Sequence, residues 1–183
     1  VAIITGGNAG VGKEIAKLFA SEGAKVVISA RRQQVLEEVA KEIEAAGGTV
    51  LCVPTDISKV DDVKNLVSKT VETFGQLDIL INNAGVLDKG LNAIDQIDYD
   101  DLNRVIDINQ KGTMYCMSEA LKVMKSGASI VNISSVAGQY GVMIYQSMSG
   151  DVLYTFDFLE IVSVESVALN VPVPSLASPD ILW

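Results

Sequence analysis

The feature that most constrains the fold of this chain is a regular alternation of two kinds of segment. Short, continuously apolar runs rich in Val and Ile are typical of strands buried on both faces. Between them, apolar residues recur three and four positions apart, as in amphipathic helices. The strand-like runs are Val1–Ile4, Lys25–Ala30, Thr49–Val53, Leu77–Ile81 and Ser129–Ile133. This order predicts an α/β fold with a parallel sheet that is covered by helices on both faces.

Three apolar helix faces are predicted between these strands, and Leu102–Met124 is predicted to form one long helix. Helix ends are expected at Ala45–Gly48 and Phe74–Gly75, and helix N-caps at Ser58 and Asp98. The three faces consist of Ile15, Leu18 and Phe19; of Val35, Leu36, Val39 and Ile43; and of Val60, Val63, Val67, Val71 and Phe74.

Length, charge and composition exclude several classes of protein. The chain has 183 residues, and we expect residues 1–183 to form a single domain. A formal net charge of −9 argues against nucleic acid and against an anionic membrane surface as partners. Because the chain contains no histidine, a Ser-His-Asp triad is excluded and no metal site is expected. No apolar run is long enough to cross a membrane.

The N-terminus and the cysteines bear on the cellular compartment. The chain opens with Val1 in a strand-like run, so we expect no signal peptide and a few missing N-terminal residues. Cys52 and Cys116 are far apart and lack metal-like spacing. We expect them to be reduced and buried, as in a cytoplasmic protein.

A glycine-rich loop, Thr5-Gly-Gly-Asn-Ala-Gly-Val-Gly12, follows the first strand and opens the first helix. Its glycines allow a tight turn and a close approach to a ligand. The helix N-terminus then offers free N–H groups and a positive dipole end to a phosphate. This context favours a dinucleotide site over a tight turn without a ligand. The residues expected to bind the dinucleotide here are Gly6, Asn8, Ala9, Gly10, Val11 and Gly12.

Three further segments lie at the predicted carboxyl ends of strands, where open α/β sheets bind ligands. They are Asp56-Ile57, Asn82-Asn-Ala-Gly85 and Val131-Asn-Ile-Ser-Ser-Val-Ala-Gly138. With the T-G-x-x-x-G-x-G spacing of the loop, they make residues 1 to about 145 similar to the classical short-chain dehydrogenase/reductase family. The resemblance implies a Rossmann-type doubly wound sheet of strand order 3-2-1-4-5-6, with the family's last strand and lid missing from this chain.

The resemblance also implies further cofactor-binding residues. Asp56 would hold the adenine amino group, and Asn82 and Ala84 would line the adenosine ribose. Ile57 and Gly85 would belong to the same site. Capping of the turn before Ser58 is the alternative role for Asp56.

The end of the second strand bears on the choice of dinucleotide. An acidic residue there would bind the ribose 2′-OH of NAD, but the sequence reads Ser29-Ala-Arg-Arg32. Ala30 removes the repulsion that a carboxylate would exert on a 2′-phosphate, and Arg31 and Arg32 offer planar donors to phosphate oxygens. We therefore expect NADP(H) to be preferred, with NAD(H) possible. Alternatively, both arginines are solvated charges at a helix start.

The family uses an Asn-Ser-Tyr-Lys catalytic set, which this chain matches only in part. The resemblance implies that Asn109 holds a water relay, that Ser135 polarises the carbonyl and that Tyr145 is the general acid/base. Ser149 stands where the family has Lys. All 14 Lys and Arg residues lie at or before Lys125, so a misassigned or frame-changed tail is one explanation of Ser149. Alternatively, Asn109 is a polar residue that satisfies a helix kink, Ser135 caps a helix or a turn, and Tyr145 is a partly buried aromatic residue.

Together with these residues, the resemblance implies an NADP(H)-dependent oxidoreductase that interconverts a ketone and a secondary alcohol by hydride transfer. The alternative is a dinucleotide-binding sensor or scaffold without catalysis, which Ser149 favours. We expect a small-molecule carbonyl or alcohol partner and, by analogy with the family, a homodimer or homotetramer formed through helices 102–124 and 151–165. Leu169–Pro174 resembles the family's sixth strand.

Overall fold

The structure is a computed structural model that describes residues 1–89, 94–134 and 167–168. The predicted strands are confirmed with shifts of one or two residues at their ends. The strands are β1 (Ala2–Thr5), β2 (Lys25–Ala30), β3 (Thr49–Pro54), β4 (Ile79–Asn82), β5 (Ser129–Asn132) and β6 (Val167–Ala168).

Helices connect these strands, as the alternating pattern predicts. A short 3₁₀ turn and a π-helical segment add to the α-helices in the second half of the described chain. The helical elements are α1 (Gly10–Ser21), α2 (Gln33–Ala45), α3 (Val60–Phe74), the 3₁₀ turn Ile94–Gln96, α4 (Tyr99–Val105), the π-helical segment Ile106–Gly112 and α5 (Thr113–Leu121).

The strands form one sheet in the order β3-β2-β1-β4-β5-β6, which confirms the doubly wound α/β fold. Strands β1 to β5 pair in parallel. β6 pairs with β5 in the antiparallel sense, and the predicted sixth strand, Leu169–Pro174, lies outside the described residues. An antiparallel strand needs no right-handed crossover to join the sheet, so the requirement that orders β1 to β5 does not apply to β6.

The core lies on both faces of the sheet, which explains the continuous apolar runs. On one face, strand side chains such as Ile3 and Val27 pack with buried residues of α3 and α5. On the other face, Ile4 and Ile28 pack with buried residues of α1 and α2. Each strand near the centre of the sheet therefore places side chains into two separate cores.

The predicted face of α1 is confirmed only in part, because Ile15 and Phe19 pack against the core and Leu18 does not. Ala16 is fully buried and Ala20 is 8% exposed, whereas Leu18 is 58% exposed. Small side chains let the helix lie close to β1 and β2, and a leucine in their place would not fit. The periodicity rule missed the two alanines because it gives weight to large apolar residues.

On α3, the predicted residues Val63 and Val67 are buried and Phe74 packs against the core. Leu66 and Thr70 are buried in addition, and Val60 is 38% exposed.

Three of the predicted helix boundaries are confirmed, including the end of α2 at Ala45, and one cap is wrong. Gly75 ends α3 in the left-handed region with φ of 81°. Asp98 caps α4, because its side chain accepts hydrogen bonds from the backbone N–H groups of Asp100 and Asp101. Ser58 does not cap α3, because Lys59 holds the N-cap position and the Ser58 hydroxyl donates to Asp56 Oδ1 at 2.7 Å.

The predicted long helix is helical from Tyr99 to Leu121, but it is not a uniform α-helix. Its middle, Ile106–Gly112, is π-helical. Thr113 N–H donates to Gln110 O, and the Thr113 hydroxyl donates to Asn109 O at 2.8 Å. The π-helical segment widens the helix where it passes the carboxyl end of β4.

The burial of α1 leads to a prediction for two substitutions. We expect Ala16→Leu to lower the free energy of unfolding by about 1–3 kcal/mol, because the added carbons have no space beside the sheet. The matched variant Leu18→Ala changes an exposed side chain on the same helix, so we expect a change within about 0.5 kcal/mol. Urea unfolding followed by circular dichroism measures both values. A larger loss for Leu18→Ala than for Ala16→Leu would contradict the observed helix face.

Candidate functional site

A cavity of about 350 Å³ lies at the carboxyl ends of β1 to β4. This is the edge of a parallel sheet at which connections on either side of β1 diverge and ligands bind. The cavity is lined by Gly6, Asn8, Ala9, Val11, Ser29, Ala30, Arg31, Thr55, Asp56, Ile57, Asn83, Ala84, Gly85, Val86 and Ile108. Nine of the predicted cofactor residues are in this lining, and Gly10, Gly12, Arg32 and Asn82 are not.

The glycine-rich loop turns as its sequence predicts. Gly6 and Gly10 have φ values of 68° and 52°, a region that side chains other than glycine rarely adopt. The loop leads into α1, whose N-cap residue Ala9 makes no side-chain capping hydrogen bond. The first turn of α1 also lacks acidic residues. The helix therefore presents its positive end and uncapped N–H groups to the cavity, an arrangement that suits a phosphate.

Thr5 and Asn83 join the ends of β1 and β4 beneath this loop. Thr5 Oγ1 accepts hydrogen bonds from Asn83 N–H at 3.0 Å and Ala84 N–H at 3.1 Å. Asn83 Nδ2 donates to Thr5 O at 3.0 Å and to Gly6 O at 3.3 Å. The glycine-rich loop and the segment after β4 are thus held together from below.

Gly12 is required by this packing, although it does not line the cavity. A Cβ at Gly12 would lie 2.4 Å from Asn83 Nδ2 and 2.5 Å from Gly6 O. These contacts are too short for any side chain. The third glycine of the loop therefore lets α1 approach the Asn83 amide.

Asp56 both caps a turn and lies in the cavity lining, the position that its predicted role in adenine binding requires. Its Oδ1 accepts hydrogen bonds from Ser58 N–H at 3.1 Å and from the Ser58 hydroxyl at 2.7 Å, so it caps a turn. Asp56 also lines the cavity. Its backbone N–H donates to Asp62 Oδ2 at 2.9 Å, which fixes the turn against the start of α3. Turn capping and ligand binding are therefore compatible at this position.

Asn82 lies elsewhere than predicted. Its side chain is 5% exposed, and its Nδ2 donates to Asn132 Oδ1 at 2.9 Å across the β4–β5 pair. It is not part of the cavity lining. Alternation along the strand explains the difference, because neighbouring residues of a strand point to opposite sides and Asn83 takes the place expected of Asn82.

Arg31 and Arg32 are both exposed at the end of β2, but only Arg31 lines the cavity. Arg32 holds the N-cap position of α2. Within the part of the chain that the structure describes, neither arginine forms a salt bridge. The Arg31 guanidinium is therefore available to an anionic group at this end of the cavity.

Asn109 lies in the π-helical segment and faces the chain after β4. Its Oδ1 accepts a hydrogen bond from Val86 N–H at 2.9 Å, and its Nδ2 donates to Val86 O at 2.8 Å. The side-chain amide thus pairs with both backbone groups of a residue in the cavity wall. This position fits both expectations for Asn109. It is a polar residue at an irregular part of the helix, and it also lies beside the candidate site.

The other predicted catalytic residues, Ser135, Tyr145 and Ser149, lie outside the described residues. Their roles stay predictions from the resemblance.

The cavity is also lined by five residues that the sequence does not predict, namely Ser29, Thr55, Asn83, Val86 and Ile108. Ser29 is 1% exposed, and its hydroxyl makes no hydrogen bond with any described residue. A buried polar atom without a partner is uncommon in proteins and costs stability. Position at the carboxyl end of a strand is the available signal for four of them, whereas Ile108 lies in the π-helical segment and carries no such signal. An unpartnered hydroxyl, an uncapped helix and an unpaired arginine together fit an anionic dinucleotide.

The two cysteines have no part in this cavity. Cys116 is buried, and burial raises the pKa of its thiol to about 12. Cys52 is only half-buried, contrary to prediction, because it lies on the edge strand β3. Burial, and then the nearby carboxylates of Glu37 and Glu44, raise the pKa of Cys52. Neither thiol is therefore activated as a nucleophile.

A second, open groove of about 490 Å³ runs between α3 and α5, away from the strand ends. It is larger than the cavity, but its apolar floor and rim of surface lysines and glutamates bring no chemistry together. Among residues 1–89, 94–134 and 167–168, no three potential metal-ligating side chains form a cluster. Of the helices in the described part of the chain, none has the length and hydrophobicity needed to span a bilayer.

Comparison with known proteins places this geometry in a family. The sequence model of the family described as short chain dehydrogenase matches residues 1–149. An uncharacterized oxidoreductase of Staphylococcus aureus is 39% identical over 140 residues, which are 75% of this chain and 59% of the relative. One of Thermotoga maritima is 39% identical over 144 residues, which are 78% of this chain and 56% of the relative.

Solved structures show the same likeness. A short-chain dehydrogenase/reductase from Serratia marcescens matches with a TM-score of 0.71 and 36% identity, covering 75% of this chain and 56% of that protein. A short chain dehydrogenase from Burkholderia cenocepacia in complex with NADP matches with a TM-score of 0.71 and 31% identity, covering 76% and 56%. This chain spans less than two thirds of each of these relatives. The sequence motifs, the strand order and these matches show that the chain belongs to the short-chain dehydrogenase/reductase family.

Proposed function

We propose that this chain binds NADP(H) in the cavity at the strand ends and acts as an oxidoreductase on a ketone or a secondary alcohol. The observation that carries the proposal is the end of β2, where Arg31 lines the cavity and Ala30 leaves the strand end without a carboxylate. This pairing suits a 2′-phosphate, because it supplies a planar cationic donor and removes the repulsion by an acid. The NADP complex of the Burkholderia cenocepacia relative supports the same cofactor.

The remaining lining residues suit the rest of the dinucleotide. Ala9 and Val11, at the uncapped start of α1, hold the diphosphate by backbone N–H groups. Asp56 binds the adenine end, and Ser58 holds its Oδ1 in place. The Ser29 hydroxyl gains a partner in the bound state.

The reaction is a reversible reduction of a carbonyl group. When bound, NADPH supplies the hydride that is added to the carbonyl carbon. Tyr145 donates the proton to the carbonyl oxygen, and Ser135 donates a hydrogen bond to the same oxygen. Asn109 fixes the chain after β4 through both backbone groups of Val86 and so holds the wall of the cavity in place.

The cofactor part of the proposal predicts different effects for two neighbouring arginines. We expect Arg31→Met to raise the Kd for NADPH by about 10- to 100-fold, because a hydrogen-bonded charge pair with the 2′-phosphate is lost. The Kd for NADH should stay within about twofold, since NADH lacks that phosphate. Arg32→Met is the matched control, and we expect it to leave both constants nearly unchanged. Fluorescence titration of the two reduced dinucleotides measures them, and equal losses for NADPH and NADH would contradict the assignment of Arg31.

The catalytic part of the proposal predicts opposite effects at residues 145 and 149. We expect Tyr145→Phe to abolish NADPH oxidation with cyclohexanone or acetophenone, and Tyr154→Phe, the control, to preserve it. Ser149→Lys should raise the rate, because a cation beside Tyr145 makes its phenol a stronger acid, by up to about tenfold for each unit by which the Tyr145 pKa falls. Absorbance at the NADPH band follows the reaction. NADPH binding without oxidation in every variant would instead identify a dinucleotide-binding sensor or scaffold.

Two features of the structure support further parts of the proposal, a homodimer or homotetramer and a cytoplasmic location. Met114 and Leu121 on α5 are 57% and 50% exposed, and no described element covers them. Cys52 and Cys116 are free thiols, as expected in a reducing compartment. We expect light scattering during size-exclusion chromatography to give at least twice the 19.5 kDa chain mass. Met114→Lys with Leu121→Lys should shift the protein to monomer, and a wild-type monomer would contradict both oligomers.

A further inference from the structure

The loop after β4, Val86–Lys89, is held by side chains of the helical stretch that begins at α4. Asn109 binds both backbone groups of Val86, as described above. Arg104 Nη2 donates a hydrogen bond to Leu87 O at 2.7 Å. The backbone groups of this loop are therefore ordered by another element, since a loop lacks the repeating hydrogen bonds of a helix or strand.

Asp101 completes the set of contacts. Its Oδ2 accepts a hydrogen bond from Lys89 N–H at 2.7 Å, and its Oδ1 accepts one from Arg104 Nε at 2.7 Å. The side chain of Asp101 is 7% exposed, so the carboxylate is covered by the loop that it binds. Asp98 accepts a hydrogen bond from Asp101 N–H at 3.2 Å and so fixes its place in the first turn of α4. We name Asp101 and Arg104, with their contacts to Leu87 and Lys89, the loop clamp.

The electrostatics of the loop clamp favour its charged form. The hydrogen bond from Arg104, and then the one from the Lys89 backbone, hold the pKa of Asp101 below its usual range. One carboxylate and one guanidinium thus serve two loop backbone groups and each other. Arg is suited to this because its planar fork donates in two directions at once.

The loop clamp acts on one side of the cavity. Val86, the first residue of the loop, lines the cavity together with Ile108. Arg31 lines it from the end of β2, and β2 and β4 lie on opposite sides of β1. With a strand spacing of about 4.8 Å, these two walls are roughly 10 Å apart. A ligand whose 2′-phosphate meets Arg31 therefore extends its other half toward Val86.

We propose that Arg104 and Asp101 are positioning residues that hold the Val86 wall of the cavity and so set the affinity for the half of NADP(H) distant from the 2′-phosphate. The inference rests on the proposed function. Neither side chain lines the cavity, so both act through the backbone of residues 86–89. Loss of the loop clamp frees that backbone and lets the wall move, while the β2 end keeps its geometry.

The test compares two probes that share the adenosine 2′-phosphate end. NADPH reaches both walls, whereas adenosine 2′,5′-bisphosphate lacks the nicotinamide half. We expect Arg104→Met to raise the Kd for NADPH about tenfold, the effect of losing a hydrogen bond to a charged group, and to leave the Kd for the bisphosphate within about twofold. Isothermal titration calorimetry on the full chain measures both constants.

Three further variants separate positioning from a loss of fold. Lys111→Met removes a cation that pairs only with Asp107 in the described structure, and it should change neither constant. Arg104→Lys should give an intermediate loss for NADPH, because an ammonium cannot supply the same two-directional fork. Asp101→Asn keeps the side-chain size and should repeat the selective loss if Arg104→Met does not fold.

Each remaining outcome overturns a defined statement. Equal weakening of both probes would make the loop clamp a general support of the fold and overturn its positioning role. Unchanged NADPH affinity in both Arg104→Met and Asp101→Asn would overturn it as well. Failure of the wild-type chain to bind either probe would instead remove the proposed NADP(H) site, a result that is distinct from a selective loss in the variants.

Discussion

The hydrogen bonds between Thr5 and Asn83 are the interaction on which the rest of the site depends. They join the end of β1 to the end of β4 at the point where the chain has left β1 toward β2 and β3 and later returns on the other side. The same Asn83 amide donates a hydrogen bond to Gly6 O, and it lies 2.4 Å from the position that a Cβ of Gly12 would take. The glycine-rich loop, the start of α1 and the chain after β4 therefore hold one another in place.

This arrangement explains how a chain with a net charge of −9 can present an anion site. Over distances beyond about 8–10 Å, salt screens the repulsion between the protein and an anionic ligand. At contact distance, the local donors dominate, because the uncapped end of α1 and the unpaired Arg31 face the cavity directly. Local geometry, and not total charge, therefore decides which ion the cavity accepts.

The sequence predicts the sheet well because both faces of its strands are buried. Continuous Val and Ile runs identify β1, β2, β4 and β5, and the alternation with helices gives the order of the strands. The faces of α1 and α3 are predicted less well, because burial of Ala16 and exposure of Leu18 depend on how closely the helix approaches the sheet. That distance is a tertiary property, and no local pattern of large apolar residues carries it.

The site residues follow the same rule. Position at a strand end identifies Asp56 and Ala84 as cavity residues from the sequence. It does not decide between Asn82 and Asn83, because a shift of one residue along a strand reverses the side on which a side chain lies. Arg104 and Asp101 could not be found in this way, since they act on the loop after β4 through contacts between distant parts of the chain.

The π-helical segment connects these observations. A π-helix carries one extra residue relative to an α-helix, and it leaves a carbonyl group without its usual N–H partner. Here Thr113 N–H bonds to Gln110 O, and the Thr113 hydroxyl satisfies Asn109 O instead. The extra residue turns the Asn109 side chain toward Val86, while Arg104, one turn or more earlier, reaches Leu87. Arg104 and Asn109 are five residues apart, so a uniform α-helix would place their side chains roughly 140° apart around its axis. The wider π-helical turn reduces this angle, so both side chains reach the loop after β4. The irregular helix is therefore the element that lets one stretch of chain fix the wall of the cavity.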